Sequence, residues 1–518
     1  MQQIILSEWL LGQLNQSTFP NRMPNHRRIY ETIRRAITER ILPSGTRLPS
    51  TRSLSLDLNV SRNTILAAFE QLLDEGYVSA TTGSGTYVSF NLHQLEAFKN
   101  ASHTEQSDQT PNATLHSKSE ASPKKSILSQ RGEVACNAGG EANQRRGAKH
   151  EILQFTPGPE EFNNFPFGTW RRLLNRHWRT QDTALLDASF DGGYLPLRKA
   201  IANYLKVARA VNLSHDQVLI TSGTRQSIDL CARLLTDHGD TAWIESPGYW
   251  AARRVLEVNG LKLHPVNVDN EGMAPTTKDF RITPRLIYTT PSHQYPKGMV
   301  MGYGRRRLLL DFAQTTDAWI IEDDYDSEFR FEGRPISSLQ GMDLHERVLY
   351  LGTFSKVVYP GIRLGYMVVP PKLVESFKCG LYELQQPGQV SIQAALADFI
   401  EEGHFTSQIR RLKQIYSERR SLLQAALAPI ASAGAKLSTY DSGLHLVVEF
   451  DRHIDDVHIA EKAAEKGLNV YPLSNYCLNN QIEKGLIIGY AYAATEKITP
   501  YGNLLADIII HSLETALK

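Results

Sequence analysis

Residues 91–150 form a polar stretch that divides the 518-residue chain into two parts. The stretch is rich in Ser, Asn, Gln, Ala and Lys and holds few large apolar side chains, so it cannot bury enough surface to offset the entropy of ordering its backbone. We therefore predict a flexible linker at 91–150 between a first domain at 1–90 and a second domain at 151–518. Each flanking part is long enough to bury a core of its own.

Charge and cysteine usage narrow the classes of protein that fit. A net charge of +1 excludes a chain that coats nucleic acid along its whole length, but it leaves room for a local basic surface. No apolar run approaches the roughly 18 residues that span a bilayer, and the N-terminus lacks the basic region of a signal peptide. The cysteines, which are Cys136, Cys231, Cys379 and Cys477, lie far apart and form no CxxC pair. This spacing argues against a disulfide framework or structural zinc, and it predicts a cytoplasmic protein.

The first domain has the pattern of three helices followed by a hairpin. Ile29, Ile33, Ile37 and Ile41 recur every four residues, as in an amphipathic helix. Ser50 and Ser61 are suitable N-caps for two further helices, and "YVSATTGSGTYVSF" predicts a hairpin around Gly83–Gly85. This order is that of a winged helix, in which the second helix of the helix-turn-helix pair inserts its N-terminal residues into the major groove.

Polar residues at the helix starts suit contacts with DNA. The side chains of Arg52 and Arg62 can reach bases or phosphates, and the hydroxyls of Ser61 and Thr64 suit phosphates. The pattern alone also fits a small helical interaction domain whose arginines are only solvated. However, "GTRLPSTRSLSLDLNVSRNTILAAFEQLLDEGYV" and "GSGTYV" closely resemble the GntR-type winged helix of bacterial regulators. The resemblance implies contacts with double-stranded promoter DNA, and hence the nucleoid, from these residues and from the wing around Gly85.

The second domain alternates apolar runs with helical stretches. Among the runs are "QVLITSG", "TAWIESPGY", "PRLIYTTPSHQYPKG", "AWIIEDDYDSEF", "RVLYLGTFSK" and "LGYMVVP". Near-continuous Ile, Val and Leu in such an order indicates a mostly parallel α/β sheet covered by helices on both faces. In sheets of this kind, ligands bind at the carboxyl ends of the strands.

Polar residues cluster at these predicted strand ends. Ser222–Thr224 opens a helix and suits an anion, Asp323 and Asp324 end one run, and Lys356 and Arg363 follow another. Taken singly, the lysine could be a surface residue, and the two aspartates could cap a helix or bind a metal. Together they suit pyridoxal 5'-phosphate, which needs a Schiff-base lysine, an acid facing the pyridine nitrogen and phosphate donors.

The second domain also resembles fold-type I aminotransferases, and more closely the MocR branch of GntR regulators, over about residues 155–370. The motifs include "ITSGTRQSIDLCARLL", "TPSHQYPKG", "IEDDYDSEFRF" and "GTFSKVVYPGIRLGY". The resemblance implies a mostly parallel large domain, a small α+β domain and a homodimer. It implies that Lys356 forms the Schiff base and that Asp323 pairs with the pyridine nitrogen, in preference to Asp324, because the family places the acid two residues before a tyrosine. The other implied cofactor residues are Tyr325 on the phenolic oxygen, Tyr249 on the ring, His293 in the facing loop, and Gly223, Thr224, Thr353, Ser355 and Arg363 on the phosphate.

The C-terminal region departs from amino-acid aminotransferases. Those enzymes bind the substrate carboxylate with an arginine there, whereas the matching region reads "KGLIIGYAYAATEKITPYG" and no arginine follows Arg452. Arg225 or Arg253 could supply another anion contact. We therefore favour a transcriptional regulator that senses pyridoxal phosphate or its adduct with an amine, in vitamin B6 or amine metabolism. The alternatives are an active aminotransferase with an accessory DNA-binding domain, or a scaffold with an inactive cofactor site, and a residual half-reaction stays open.

Overall fold

The structure is a computed structural model of the chain, and its described residues belong to two compact units, Met1–Pro123 and Lys124–Lys518. Most of the predicted linker, 91–127 and 137–150, lies outside the described residues, as does Gly83 of the predicted hairpin. The domain boundaries at 90 and 150 therefore stay predictions. The structure describes residues 9–10, 12–14, 23–39, 41–81, 84–89, 128–136, 153–158, 161–179, 191–331, 337–384, 389–438, 440–478 and 482–516.

The first unit contains the predicted three helices and hairpin. Both predicted N-caps are confirmed, because Ser50 Oγ accepts from the backbone of Ser53 and Ser61 Oγ accepts from that of Thr64. The hairpin strands are antiparallel, with Val78 opposite Val88. The elements are α1 Asn25–Thr38, α2 Thr51–Asp57, α3 Arg62–Asp74, β1 Val78–Thr81 and β2 Gly85–Val88.

The core of this unit follows the helical spacing of its apolar residues. Ile29, Ile33 and Ile37 are buried on one face of α1, where they meet buried leucines of α2 and α3. The prediction for Ile41 is wrong, since α1 ends at Thr38 and Ile41 is 49% exposed. The helix stops because Pro43 follows, and Leu42 takes the buried position instead.

The second unit is built from two sheets and the helices that cover them. Its strands are β3 Val218–Thr221, β4 Thr241–Ser246, β5 Lys262–Asp269, β6 Gly272–Met273, β7 Leu286–Thr289, β8 Trp319–Asp324, β9 Val348–Thr353, β10 Gly365–Val368, β11 Lys436–Leu437, β12 His445–Phe450, β13 Tyr471–Pro472 and β14 Lys484–Gly489. Its α-helices are α4 Gln130–Cys136, α5 Phe167–Arg179, α6 Leu195–Arg209, α7 Thr224–Leu235, α8 Trp250–Val258, α9 Tyr303–Thr316, α10 Leu339–Met342, α11 Val374–Leu384, α12 Val390–Glu401, α13 His404–Leu427, α14 Asp456–Glu465 and α15 Thr495–Ala516. Short 3₁₀ helices lie at His215–Gln217, Asp279–Arg281, Ser327–Phe329, Pro360–Ile362, Pro371–Leu373, Ala428–Ala433 and Leu473–Tyr476.

The larger sheet has eight strands in the order β3-β10-β9-β8-β7-β4-β5-β6. Five adjacent strands are parallel to one another, namely β9, β8, β7, β4 and β5. Strand β10 is antiparallel to both of its neighbours, and β6 is antiparallel to β5. The smaller sheet is antiparallel, in the order β11-β12-β14-β13. This architecture confirms the predicted α/β fold of the second domain, which is called the body below. Its large domain is built on the mostly parallel sheet, and its small α+β domain is built on the smaller sheet.

Helix α4 lies within the predicted linker, where no helix was expected. It packs against α8, and its Val134 is half-buried. Glu133 lies in the first turn of this helix, where the positive end of the helix dipole stabilises a carboxylate. Within the described part of the chain, no helix is both long and apolar enough to cross a membrane.

Two leucines of α2 provide a matched test of the first unit. Leu54 is fully buried, whereas Leu56 is 76% exposed. We expect Leu54→Ala to destabilise the unit by about 2–5 kcal/mol, because it removes packed methyl groups and leaves a cavity. Hydrogen exchange of the full-length protein should then show faster exchange over residues 23–89 alone. Leu56→Ala should leave exchange unchanged, and equal effects of the two substitutions would contradict this core.

Candidate functional site

A cavity of about 990 Å³ lies where several strands of the larger sheet reach their carboxyl ends. Its lining includes the ends of β8 and β9, the turn after β3 and the start of α8. All but one of the predicted cofactor residues are brought together there: Gly223, Thr224, Tyr249, Asp323, Tyr325, Thr353, Ser355, Lys356 and Arg363. His293 is the exception, and Asp324 does not line the cavity either.

Asp323 places an unpaired carboxylate oxygen at the cavity. Its Oδ2 accepts a hydrogen bond of 2.6 Å from the hydroxyl of Tyr288, while its buried Oδ1 has no partner among the described residues. Burial, followed by repulsion from Asp324, raises the pKa of Asp323 to about 7, although the hydrogen bond from Tyr288 works in the opposite direction. A cation with an N–H donor would satisfy this oxygen and favour the ionised carboxylate. Tyr288 lies inside a buried apolar strand, so no pattern in the sequence marked it as a site residue.

Asp324 belongs instead to a buried ion-pair network. Its Oδ2 accepts from Arg209 Nε at 2.8 Å and from the Tyr350 hydroxyl at 2.5 Å. Arg209 also donates to Ser292. These contacts tie the end of α6 to β8 and β9, so the charge of Asp324 is used for packing rather than for binding.

His293 lies behind Tyr325 rather than on the cavity wall where it was expected. Its Nδ1 is 3.0 Å from both the Tyr325 hydroxyl and Asp326 Oδ2. A Cβ atom on Gly443 would stand 1.9 Å from His293 Cε1, so the imidazole occupies the space that a glycine leaves open. His293 therefore positions the Tyr325 hydroxyl.

The opposite end of the cavity is suited to an anion. Gly223 precedes the first turn of α7 with a φ of +123°, a conformation that favours glycine. A Cβ on Gly365 would stand only 2.8 Å from the Cα of Gly223, so two glycines allow β10 to approach this turn. The backbone amide of Ser355 donates to Thr353 Oγ1 at 3.2 Å, and Arg363 is exposed nearby on the same lining. A helix N-terminus with hydroxyls and a guanidinium is a phosphate-binding combination.

Lys356 contacts residues 153–158, which precede the first helix at the cavity, α5. Its Nζ donates to the carbonyl of Gly158 at 3.1 Å. Residues 153–158 are attached to the small domain, because the amide of Asn469 donates to Gln154 O at 2.8 Å and the amide of Gly489 donates to Phe155 O at 2.9 Å.

The small domain supplies a further wall that the sequence did not reveal. The cavity is lined there by Leu444 just before β12, by His445 of β12, by Asn469 before β13 and by Tyr471 of β13. His445 Nε2 donates to the carbonyl of Pro296 at 2.7 Å. Burial and then the neighbouring His293 lower the pKa of His445 to about 4, so its ring is neutral at pH 7. These residues lie more than 80 positions after Arg363, and no motif in the sequence marks them.

The first unit presents the predicted DNA-contact residues at its surface. Arg52 and Arg62 are exposed in the first turns of α2 and α3. The hydroxyls of Ser61 and Thr64 lie 2.8 Å apart in the cap of α3. Gly85 has a φ of +127°, and a Cβ there would stand 2.9 Å from the side chain of Arg47, an exposed arginine beside the wing that sequence reasoning missed.

Comparisons with known proteins match both units. Residues 25–88 match the model "Bacterial regulatory proteins, gntR family", and residues 164–483 match "Aminotransferase class I and II". The chain is 37% identical to the probable rhizopine catabolism regulatory protein MocR of Rhizobium meliloti, over 90% of each chain. It is 31% identical to the pyridoxine biosynthesis transcriptional regulator PdxR of Corynebacterium glutamicum, over 89% of this chain and 90% of that protein. The kynurenine aminotransferase of Pyrococcus horikoshii has the same fold over 74% of this chain and 97% of that one, with a TM-score of 0.68 and 24% identity.

The cavity fits the cofactor that these matches indicate, pyridoxal phosphate. The unpaired Oδ1 of Asp323 suits the protonated pyridine nitrogen, and the turn before α7 suits the phosphate. Lys356 supplies the amine that an aldehyde requires.

The raised pKa of Asp323 predicts how stability depends on pH. Because the folded state retains a proton that the unfolded state releases above its ordinary pKa of 3.8, the free energy of unfolding should fall as pH rises from about 4 to 7. In protein prepared without cofactor, we expect Asp323→Asn to remove this fall. At pH 8 the free energy of unfolding of the variant should exceed that of the unmodified protein by roughly 2–4 kcal/mol. Melting temperatures at pH 5.5 and pH 8 measure the difference.

Asp324→Asn is the matched control for this experiment. It should lower the melting temperature at both pH values, because it leaves the buried guanidinium of Arg209 without its carboxylate. If Asp323→Asn and Asp324→Asn gave the same pH profile, the assignment of different environments to the two acids would be wrong.

Proposed function

We propose that the chain, which belongs to the MocR branch of the GntR family of transcriptional regulators, couples the state of its cofactor cavity to the binding of promoter DNA. The observation that carries the proposal is one chain that joins a winged helix to a cavity holding a lysine, an unpaired buried acid and an anion-binding helix start. The cofactor of the body is pyridoxal phosphate. Once bound, it supplies an aldehyde that reacts with primary amines.

Each cavity residue then has a task in holding the cofactor. Lys356 would bind the aldehyde carbon, and Asp323 would accept a hydrogen bond from the protonated pyridine nitrogen. Tyr325, positioned by His293, donates to the phenolic oxygen, and the ring of Tyr249 covers one face. The phosphate is bound by Gly223, Thr224, Thr353, Ser355 and Arg363, all of which line the same cavity.

We propose that the body senses an amine in addition to the cofactor. The cavity of about 990 Å³ lies at the upper end of the roughly 300–1,000 Å³ found for small-molecule sites, and it continues beyond the cofactor residues to the small-domain wall. Where amino-acid aminotransferases have a carboxylate-binding arginine, β14 carries fully buried Leu486, Ile487 and Ile488. An amine with a regulatory effect fits this site better than a plain α-amino acid.

The bond between Lys356 and Gly158 is one contact through which the cavity can signal. Attachment of Lys356 to the cofactor would compete with this donated hydrogen bond, whereas the contacts of residues 153–158 with the small domain do not involve Lys356. A ligand shifts an equilibrium only through contacts that differ between the two states.

We further propose that the protein acts as a homodimer. Phe167 lines the cavity and yet is 54% exposed, and Trp178 of the same helix, α5, is 66% exposed. Large apolar side chains at the mouth of a site are commonly covered by a second subunit. Two winged heads would also bind two half-sites and raise affinity without a strongly basic surface.

The pathway is proposed from the relatives. One similar regulator is named for rhizopine catabolism and another for pyridoxine biosynthesis. We propose that this chain controls genes of amine catabolism or vitamin B6 synthesis. Titration of promoter DNA binding with pyridoxal phosphate alone, and then with added amines, separates these two possibilities.

Substitution of Lys356 tests the coupling. We expect Lys356→Ala to abolish the visible absorbance of bound cofactor and to reduce the cofactor-dependent change in DNA affinity to a ratio near 1, because the covalent attachment is lost. DNA binding itself should persist. Lys372→Ala, which changes an exposed lysine of the body, is the control and should keep both properties. Undiminished absorbance in Lys356→Ala would refute the role of this lysine.

Substitution of Arg62 tests the DNA interface. We expect Arg62→Ala to weaken binding to the promoter by about 1–3 kcal/mol if the side chain reads a base edge. Gel-shift titrations against promoter and random-sequence DNA measure both affinity and specificity. Arg281→Ala, an exposed arginine of the body, should change neither. Equal affinity of the unmodified protein for promoter and random DNA would contradict specific regulation.

A further inference from the structure

We propose that Asp326 is a positioning residue, which fixes the ring proton of His293 and thereby reserves the hydroxyl proton of Tyr325 for the cofactor. The proposal rests on the proposed function, because Tyr325 is taken to donate to the phenolic oxygen of pyridoxal phosphate. Asp326 is not among the residues that line the cavity, whereas Tyr325 is. The acid therefore acts on the cofactor only through His293 and Tyr325.

Asp326 is a buried carboxylate that depends on one donor. Its side chain is 1% exposed, and that of His293 is 3% exposed. His293 Nδ1 lies 3.1 Å from Asp326 Oδ1 and 3.0 Å from Oδ2, and no other group of the described residues donates to either oxygen. An unpaired buried charge is strongly destabilising, so this carboxylate needs the donor. Because an ionised carboxylate can only accept, the ring proton lies on Nδ1.

The place of this proton decides what the Tyr325 hydroxyl can do. The hydroxyl oxygen lies 3.0 Å from the same Nδ1 of His293. A ring nitrogen that carries a proton cannot accept another, so Tyr325 can accept from His293 but cannot donate to it. This is true of the neutral and the charged ring alike. Since the described residues offer the hydroxyl no other acceptor, its proton is available to a ligand in the cavity.

The packing around the ring joins the segments that hold it. A Cβ atom on Gly443 would stand 1.9 Å from His293 Cε1, so the glycine lies directly against the imidazole. The amide of Gly443 donates to Phe329 O at 3.0 Å, and the amide of Phe329 donates to Asp326 O at 2.9 Å. The backbone that presses on the ring and the backbone that carries its acceptor are thus connected through Phe329.

Tyr325 keeps its proton in this setting. Burial, followed by repulsion from Asp326, raises the pKa of its hydroxyl well above the ordinary value. A protonated hydroxyl is the form that can donate to the cofactor. The titratable groups around Tyr325 and His293 come from several elements, and they are Asp323 and Asp326 at the end of β8, Glu245 of β4, Tyr295 after β7, Lys356 after β9 and His445 of β12.

The pH dependence of cofactor absorbance tests the proposal in the full chain loaded with pyridoxal phosphate. The midpoint of the absorbance change reports proton binding at the nitrogen that joins Lys356 to the cofactor. This nitrogen shares its proton with the phenolic oxygen, so the loss of a donor to that oxygen raises the midpoint. We expect Tyr325→Phe to raise it by about one pH unit, the effect of one hydrogen bond to a charged oxygen.

Asp326→Asn is then compared in two backgrounds. The new amide can donate to His293 Nδ1, so the ring proton can move to Nε2 and Nδ1 can accept from Tyr325. In the otherwise unmodified protein, Asp326→Asn removes both a negative charge and the hydrogen bond to the cofactor. In the Tyr325→Phe protein it removes the charge alone. We expect the midpoint change caused by Asp326→Asn to be more positive in the first background by about one pH unit.

Two further measurements complete the test. Asp451→Asn removes an exposed acid of the small domain and should leave the midpoint unchanged. Nitrogen NMR of histidine-labelled protein needs no substitution of Asp326 and therefore does not depend on the folding of that variant. With the signal assigned by its loss in His293→Gln, the unmodified protein should show a protonated Nδ1.

The outcomes separate this proposal from the proposed function. Equal effects of Asp326→Asn in the two backgrounds, or an unprotonated Nδ1 of His293, would overturn the positioning role of Asp326. A regulator whose DNA affinity responds to the cofactor would then still stand. Absence of any cofactor absorbance in the unmodified protein would instead overturn the proposed function, and this inference with it.

Discussion

The alternation of side chains along β8 divides two neighbouring acids between two tasks. Successive residues of a strand point to opposite faces, so Asp323 lines the cavity and Asp324 contacts Arg209 and Tyr350. Each acid has one buried oxygen without a partner among the described residues, but only that of Asp323 belongs to a residue that lines the cavity, while Asp324 holds the sheet to α6. Because β8 is parallel to β9, the turn after β9 that carries Thr353, Ser355 and Lys356 lies at the same edge of the sheet as that oxygen of Asp323.

Much of this arrangement could be predicted from the sequence, because its signals are local. The apolar runs that become β3, β4, β7, β8 and β9 are bounded by turn residues, and the polar residues directly after them fall on one edge in any parallel sheet. The caps at Ser50 and Ser61 were likewise visible, since an N-cap is defined by its own residue and the next three. The preference for Asp323 over Asp324, in contrast, came from the resemblance to the family, which places the acid two residues before a tyrosine.

Other features depend on contacts that sequence patterns do not encode. His293 is in a strand-end loop as expected, but packing against Gly443, 150 positions later, sets it behind Tyr325. His445 and Asn469 reach the cavity because the small domain folds back over the strand ends. The end of α1 was misplaced because the spacing of Ile41 continues a helical pattern that Pro43 interrupts. Helix α4 was missed because seven residues are too few to show a period in a polar stretch.

The polarity of the cavity follows from which hydrogen-bonding groups the fold has already used. At the sheet edge, the start of α7, Arg363 and Lys356 offer donors and positive charge. At the small-domain wall, His445 and Thr156 have committed their protons to backbone carbonyls, so His445 Nδ1 and Asn469 Oδ1 are left as acceptors. The two ends of the cavity therefore differ in polarity, and the phosphate of the cofactor suits the end at the sheet edge. The same carbonyl contacts that stabilise the wall thus restrict the chemistry of what binds beside it.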